Sequence, residues 1–89
     1  MAGEHDDMAE TAARLGFRNA LVRAHETRAF LDELDEAAME YCHVLRDHGC
    51  SPEGTLVNVK RVILEAIDDR DRMVTERAVL SCIQGYYRN

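Results

Sequence analysis

The sequence predicts an all-α fold, a small helical bundle in which residues 1–89 form one domain. Apolar residues recur every three or four positions along most of the chain, and this spacing places them on one face of an α-helix. One proline and five glycines argue against a loop-rich fold. The β-branched residues cluster only in residues 55–67, where they too follow helical spacing.

The first predicted helix is short and begins at Asp7. Asp7 and Glu10 have the spacing of a capping box, in which an acidic N-cap is followed by Glu three positions later. Gly16 is expected to end or kink this helix, because glycine is unfavourable in a helix interior. One continuous helix over residues 7–48 stays open as an alternative, since a single glycine costs only about 1 kcal/mol.

The second predicted helix is the longest and covers about residues 19–48, with Asn19 as its N-cap. Its apolar positions follow steps of four and three, which keeps one face apolar for about eight turns. At about 1.5 Å per residue, such a helix is about 45 Å long. The stripe consists of Ala20, Ala24, Thr27, Leu31, Leu34, Ala38, Tyr41 and Leu45.

The third predicted helix follows the clearest local signal in the chain. Gly49 stands where a left-handed C-terminal cap belongs. Ser51 and Pro52 then have the order of an N-cap and a first helical residue. These residues predict a helix over about residues 52–67.

The fourth predicted helix covers about residues 71–86 and packs antiparallel to the third. Either Asp69 or Asp71 is its expected N-cap. Its largest apolar residues share one helix face, which we expect to be the core face. They are Val79, Leu80, Ile83, Tyr86 and Tyr87.

The difference in helix length predicts a homodimer. The two shorter helices, each about 25 Å long, are expected to cover the long helix only near Gly49. The uncovered small residues permit close approach of two long helices across a two-fold axis. The third helix is apolar around so much of its surface that we expect it to need more than one neighbour. The expected interface comprises Ala20, Ala24, Thr27, Leu31, Val57, Val62 and Leu64.

Composition restricts the partners and the compartment. The net charge of −6 argues against nucleic-acid binding, because phosphate backbones repel an acidic surface. No apolar run approaches the ~20 residues that cross a bilayer, and the first ten residues lack the order of a signal peptide. An odd number of cysteines, three, favours a reducing cytoplasm.

One face of the second helix is acidic. Such a face is most often a solvated surface, but it can also dock a basic partner or imitate nucleic-acid phosphates. The rival functional hypothesis is therefore an acidic inhibitor or nucleic-acid mimic that binds a basic protein. The residues of this acidic face are Asp32, Glu33, Glu36 and Glu40.

Cysteine and histidine residues are the candidates for metal or redox chemistry. Cys42, His43, His48 and Cys50 diverge around the helix and lack the spacing of zinc ligands, so we expect no metal and no cofactor. Cys50 precedes a helix N-terminus, a position that can activate a thiol, and is the candidate redox residue.

Two cations on apolar faces, Arg23 and Lys60, suggest a third hypothesis, a helical dimer that binds or transforms a small anionic ligand. The layout of one long helix and two shorter helices resembles the helical chorismate mutases, which bind a dicarboxylate between cationic side chains. Their sequence motif is absent here, so no residue role is transferred. The favoured hypothesis is a non-catalytic cytoplasmic adaptor or regulator that acts through protein–protein contact.

Overall fold

The computed structural model describes residues 2–68 and 70–87, with side chains from residue 8 onward. These ranges form four α-helices and contain no strand, which confirms the all-helical class. The helices are α1 (Ala2–Thr27), α2 (Leu31–Asp47), α3 (Pro52–Ile67) and α4 (Arg72–Tyr87).

The helices form one bundle around a shared core. α1 and α2 are antiparallel, and the Phe17 and Tyr41 rings stack between them with centroids 5.6 Å apart. α4 packs mainly on α2, whereas α3 packs on α1 and meets α4 along a weaker contact. The largest fully buried side chains come from all four helices: Phe17, Leu21, Leu34, Cys42, Val59, Val62, Ile63, Val74 and Cys82.

The predicted long helix is wrong, because the chain breaks between Thr27 and Leu31. Arg28 and Phe30 both have left-handed backbone conformations, with φ of 57° and 60°. The Thr27 hydroxyl donates to the carbonyl of Arg23 and accepts from the N–H of Ala29. It therefore competes with the backbone hydrogen bonds that would continue the helix. Residues 7–48 therefore form parts of two helices that fold against each other.

The N-terminal prediction is also wrong. α1 begins at Ala2, so Asp7 is an interior position of the helix and not its cap. Gly16 does not end α1, and Asn19 lies inside it, exposed to solvent. The buried side chains of Phe17, Leu21 and Ala24 follow directly, and their packing offsets the local cost of the glycine.

The boundaries of α3 agree with the sequence prediction. Gly49 has a φ of 84°, and the Ser51 hydroxyl accepts a hydrogen bond from the N–H of Gly54 at 3.1 Å. Pro52 is the first residue of the helix. At the start of α4, Asp71 accepts from the N–H of Val74 at 3.3 Å, while the alternative cap Asp69 lies outside the described residues.

The hairpin of α1 and α2 removes the reason for which the homodimer was predicted. Ala24, Leu34, Ala38, Tyr41 and Leu45 from the predicted stripe are buried within one chain. Only Thr27 is exposed, and Ala20 and Leu31 are half-buried. The stripe is thus divided between two helices that cover each other, and no 45 Å helix remains to be covered.

Candidate interaction surface

The sequence predicts that the side of α4 with the large apolar residues packs into the core. In the structure, a different side of α4 packs inward. The buried positions of α4 are Val74, Ala78, Ser81, Cys82 and Gly85. The small residues among them allow α4 to approach α2 so closely that a Cβ added at Gly85 would lie 2.6 Å from the Met39 backbone. Because α4 turns its small residues inward, its larger apolar residues face outward.

This orientation creates an exposed apolar surface on α4. Tyr87 is 65% exposed, Leu80 is 60% exposed, and Ile83 lies between them on the same side of the helix. On α3, Val57 and Leu64 are 55% and 52% exposed, and Leu56 is half-buried beside them. Leu56, Ile83 and Tyr87 meet at one pocket between the two helices. We use the term α3/α4 surface for these three residues together with the exposed residues Val57, Leu64 and Leu80 of the same helices.

A pocket of about 220 Å³ lies within the α3/α4 surface, where the start of α3 meets the end of α4. Its walls are almost entirely apolar. They are formed by Pro52, Thr55, Leu56, Cys82, Ile83, Tyr86 and Tyr87.

Hydrogen bonds hold the walls of this pocket in place. The Tyr86 hydroxyl donates to the carbonyl of Cys50 at 2.8 Å, and Arg46 donates to the carbonyl of Tyr86 at 2.9 Å. The Cys82 thiol donates to the carbonyl of Ala38 at 3.3 Å. These bonds fix the end of α4 against α2 and against the turn before α3, so the pocket is preformed.

One residue of the pocket wall, Thr55, has a buried hydroxyl. Within the described part of the chain, this hydroxyl has no hydrogen-bond partner. A buried hydroxyl without a partner is unfavourable, because it has lost its bonds to water and gained nothing in return.

The charge of the chain is unevenly distributed. α2 carries six acidic side chains and one arginine, whereas α3 and α4 together carry four basic and three acidic side chains. The α3/α4 surface therefore lies on the least acidic part of the described bundle, although the whole chain has a net charge of −6.

The predicted acidic face is exposed on α2, as its sequence position suggests. Two of its carboxylates have cations nearby: Arg23 lies 3.6 Å from Glu33, and Arg77 lies 3.6 Å from Asp32. The other two members, Glu36 and Glu40, are exposed. The face is therefore less acidic than its sequence suggests.

The predicted interface residues fall into three groups. Ala20, Thr27 and Leu31 belong to α1 and α2 and are half-buried or exposed. Ala24 and Val62 are buried in the core of their own chain, so neither is available at the surface. Val57 and Leu64 belong to the α3/α4 surface. Leu80, Ile83 and Tyr87 were missed as surface residues because helical spacing alone cannot show which face of α4 packs inward.

The cations Arg23 and Lys60 do not converge. Arg23 lies 4.2 Å above the Phe30 ring, beside α2, whereas Lys60 is exposed on α3. The resemblance to helical chorismate mutases also depended on the long helix, which the structure divides into α1 and α2. Neither observation now supports an anionic-ligand site.

The cysteines occupy different environments. Contact with the Cys42 thiol, together with burial, raises the pKa of the Cys82 thiol above its ordinary value, so this thiol stays protonated and unreactive. Cys50 is half-buried, and its sulfur accepts a long contact from the Asn58 amide at 3.8 Å. Its redox role remains a prediction.

Two carboxylates bind the helices together away from the α3/α4 surface. Asp35 accepts from Arg77 at 2.9 and 2.7 Å and from Ser81 at 2.7 Å, and the bond to Arg77 lowers its pKa most strongly. Asp71, with only 4% of its side chain exposed, accepts from His25 at 2.8 Å and pairs with Arg28. The bond to His25 is the main cause of its lowered pKa.

His43 lies 3.4 Å from the Asp47 carboxylate, and His48 lies 3.5 Å from the Glu10 carboxylate. Within the part of the chain whose side chains are described, no group of three or more His, Cys, Asp or Glu residues is placed to hold a metal ion.

None of the helices in the described ranges is both long and apolar enough to cross a membrane. Comparison with protein-family models, curated proteins and solved structures finds no match for this chain.

Proposed function

We propose that this chain acts by protein–protein contact, as a small helical adaptor or regulator in the cytoplasm, and that it associates with a second copy through the α3/α4 surface. The observation that carries the proposal is the outward orientation of the large apolar residues of α4. Exposing Leu80, Ile83 and Tyr87 to water is unfavourable unless another surface covers them.

Charge opposes the association of two copies least at this surface. Two molecules of net charge −6 repel each other, so contact is least opposed where acidic side chains are few. α3 and α4 provide such a region, whereas α2 would bring acidic faces together. We expect two short helices to bury a small area, and interfaces below about 1,200 Å² in total are typical of weak, transient association.

Sedimentation velocity at about 50 µM tests the proposal, since this concentration is in the range where a micromolar dimer forms. We expect the mass of two chains for the wild type and of one chain for Leu64→Glu and Leu80→Glu. Leu15→Glu is the matched control, because Leu15 on α1 is 51% exposed but lies outside the α3/α4 surface. It should remain dimeric.

A single-chain mass for the wild type at this concentration would overturn the proposal. Equal loss of association in Leu15→Glu and Leu80→Glu would show that the α3/α4 surface is not the interface. Circular dichroism of each variant checks that the helices are intact. We expect them to be intact, because all three substitutions are at exposed positions.

A further inference from the structure

The turn that joins α1 to α2 has an unfavourable backbone conformation. Arg28 and Phe30 are left-handed, with φ of 57° and 60°, although the Cβ of each residue makes this conformation costly. Phe30 is also the N-cap of α2, and its phenyl ring cannot accept a hydrogen bond from the N–H groups of the first turn. The turn is therefore maintained largely by the packing of the two helices that it joins.

The same residues can also continue a helix. Residues 17–48 contain no glycine and no proline. Residues 25–30 are all exposed, so no buried side chain lies within the turn. In one straight helix, the buried residues before and after the turn would share one side, because the apolar spacing continues across it. These residues are Phe17, Leu21, Ala24, Leu34, Ala38 and Tyr41.

We propose that two copies of this chain exchange α1 when they fold at high concentration. In each copy, residues 28–30 become helical, and α1 packs on α2 and α3 of the other copy. The contacts of α1 then form between chains instead of within one chain. Among them are the Phe17–Tyr41 ring contact and the ion pair of Arg14 and Glu65, 2.8 Å apart. The shared apolar side allows the two joined helices to lie antiparallel about a two-fold axis.

Concentration decides between the single chain and the exchanged dimer. The exchange retains the core and removes two unfavourable turns, whereas association costs translational and rotational freedom. A chain that folds in dilute solution packs its own α1. It converts slowly, because Phe17, Leu21 and Ala24 must first leave the core. The exchange leaves the α3/α4 surface exposed, so it is independent of the self-association proposed above.

Refolding of the Leu80→Glu variant at two concentrations tests the exchange without association through the α3/α4 surface. The variant is unfolded in urea and refolded at about 1 mM and at about 10 µM, and its mass is measured by light scattering after size-exclusion chromatography. A reductant is present, because the three cysteines are free. We expect the mass of two chains at the higher concentration and of one chain at the lower.

A single-chain mass at both concentrations would overturn the exchange. It would leave the proposed function standing, because that proposal concerns the wild type folded in dilute solution.

A glycine in the turn should oppose the exchange. Phe30→Gly, made in the Leu80→Glu background, relieves the left-handed conformation of the single chain and disfavours the joined helix. Each effect occurs in both chains of the dimer. At about 5-fold per chain, the dissociation constant should rise at least about 25-fold. The measurement is made after the chains equilibrate near their unfolding temperature.

Asp68→Gly is the matched control. Asp68 is exposed and also left-handed, with φ of 62°, but it lies in the turn between α3 and α4, which the exchange does not alter. Its dissociation constant should equal that of the Leu80→Glu background. An equal rise in Asp68→Gly and Phe30→Gly would contradict the assignment of the α1–α2 turn as the hinge.

Thr27→Ala should have the opposite effect. The Thr27 hydroxyl accepts a hydrogen bond from the N–H of Ala29 and so stabilises the turn. Its loss, together with the higher helix propensity of alanine, should lower the dissociation constant at least about 5-fold. A rise in Thr27→Ala would contradict the exchange.

Mixed isotope labelling shows directly whether α1 is exchanged. In a dimer refolded from equal amounts of labelled and unlabelled chains, we expect a nuclear Overhauser effect between the Phe17 ring of one chain and the Tyr41 ring of the other. In a dimer that forms by surface contact alone, these rings meet only within one chain, as they do in the structure. The absence of the interchain signal in a dimer would therefore overturn the exchange.

Discussion

At the scale of single residues, buried polar groups join helices that have little apolar contact. Asp71 connects the start of α4 to the end of α1 through His25 and Arg28. It also caps α4 by accepting from the N–H of Val74. One side chain thus performs two tasks that the sequence shows only in part, since a cap is visible as a local pattern and its distant partners are not.

Replacing Asp71 separates these two tasks. Asp71→Ala should lower the free energy of unfolding by about 2–3 kcal/mol, because it removes a cap worth about 1 kcal/mol and leaves two donors without their carboxylate. Asp71→Asn should cost less, since asparagine is an equally good N-cap. Urea unfolding at pH 7 measures both variants. Equal losses would contradict a separate contribution from the cap.

Tyr41 provides a second prediction at this scale. Burial raises the pKa of Tyr41 from 10.0 to about 12. The folded state therefore disfavours the phenolate, and the stability that this group contributes is present below pH 10 and is lost as the pH rises towards 12.

In a spectrophotometric titration of the phenolate, we expect a step near pH 12 that is missing in Tyr41→Phe. The variant should also lose less stability than the wild type between pH 10 and 12. If the step near pH 12 remains in Tyr41→Phe, it belongs to another tyrosine, and this prediction is contradicted.

At the scale of helices, the contact between α2 and α4 determines which residues of α4 are exposed to solvent. Its closest point is Gly85, where α4 lies against the backbone of Met39. Large side chains on this face of α4 would hold the two helices apart. The small ones permit the approach, so the burial of Gly85 and the exposure of Leu80 and Tyr87 have one cause.

Two glycine substitutions test this contact, because we expect them to change the stability of the fold in opposite directions. Gly85→Ala should destabilise the fold by about 2 kcal/mol, because its Cβ would lie 2.6 Å from the Met39 backbone. Gly16→Ala should stabilise it by about 0.5–1 kcal/mol, since the Cβ meets nothing within 4 Å and alanine favours the helix. Thermal unfolding measures both, and a loss of stability in both variants would contradict the account given for Gly85.

At the scale of the whole molecule, charge and apolar surface are separated. α2 is strongly acidic, whereas α3 and α4 are nearly balanced and carry the exposed apolar residues. The two functional hypotheses therefore differ in their dependence on salt. An acidic mimic on α2 would lose its basic partner at high salt, while an apolar dimer through α3 and α4 would not.

Raising the salt concentration from about 0.05 M to about 0.5 M should strengthen the dimer slightly, because screening reduces the repulsion between two acidic chains. The dissociation constant from sedimentation at each concentration is the measurement. A dimer that weakens severalfold would indicate contacts between opposite charges and contradict an apolar interface.

The sequence by itself determined the helical class and the backbone conformation from Gly49 to the end of α3. Gly49, Ser51 and Pro52 specify their backbone conformations locally, so neighbouring residues suffice to predict them. Val57 and Leu64 are exposed on α3, and their place in an interface stays a prediction.

Only the tertiary structure decided the break at residues 28–30 and the inward face of α4. The apolar spacing continues through Arg28 and Phe30, and no glycine or proline marks the turn. The chain accepts two left-handed residues there because folding α1 onto α2 buries Phe17, Leu21 and Ala24. Spacing records which residues share a face, whereas packing determines whether that face meets a helix or water.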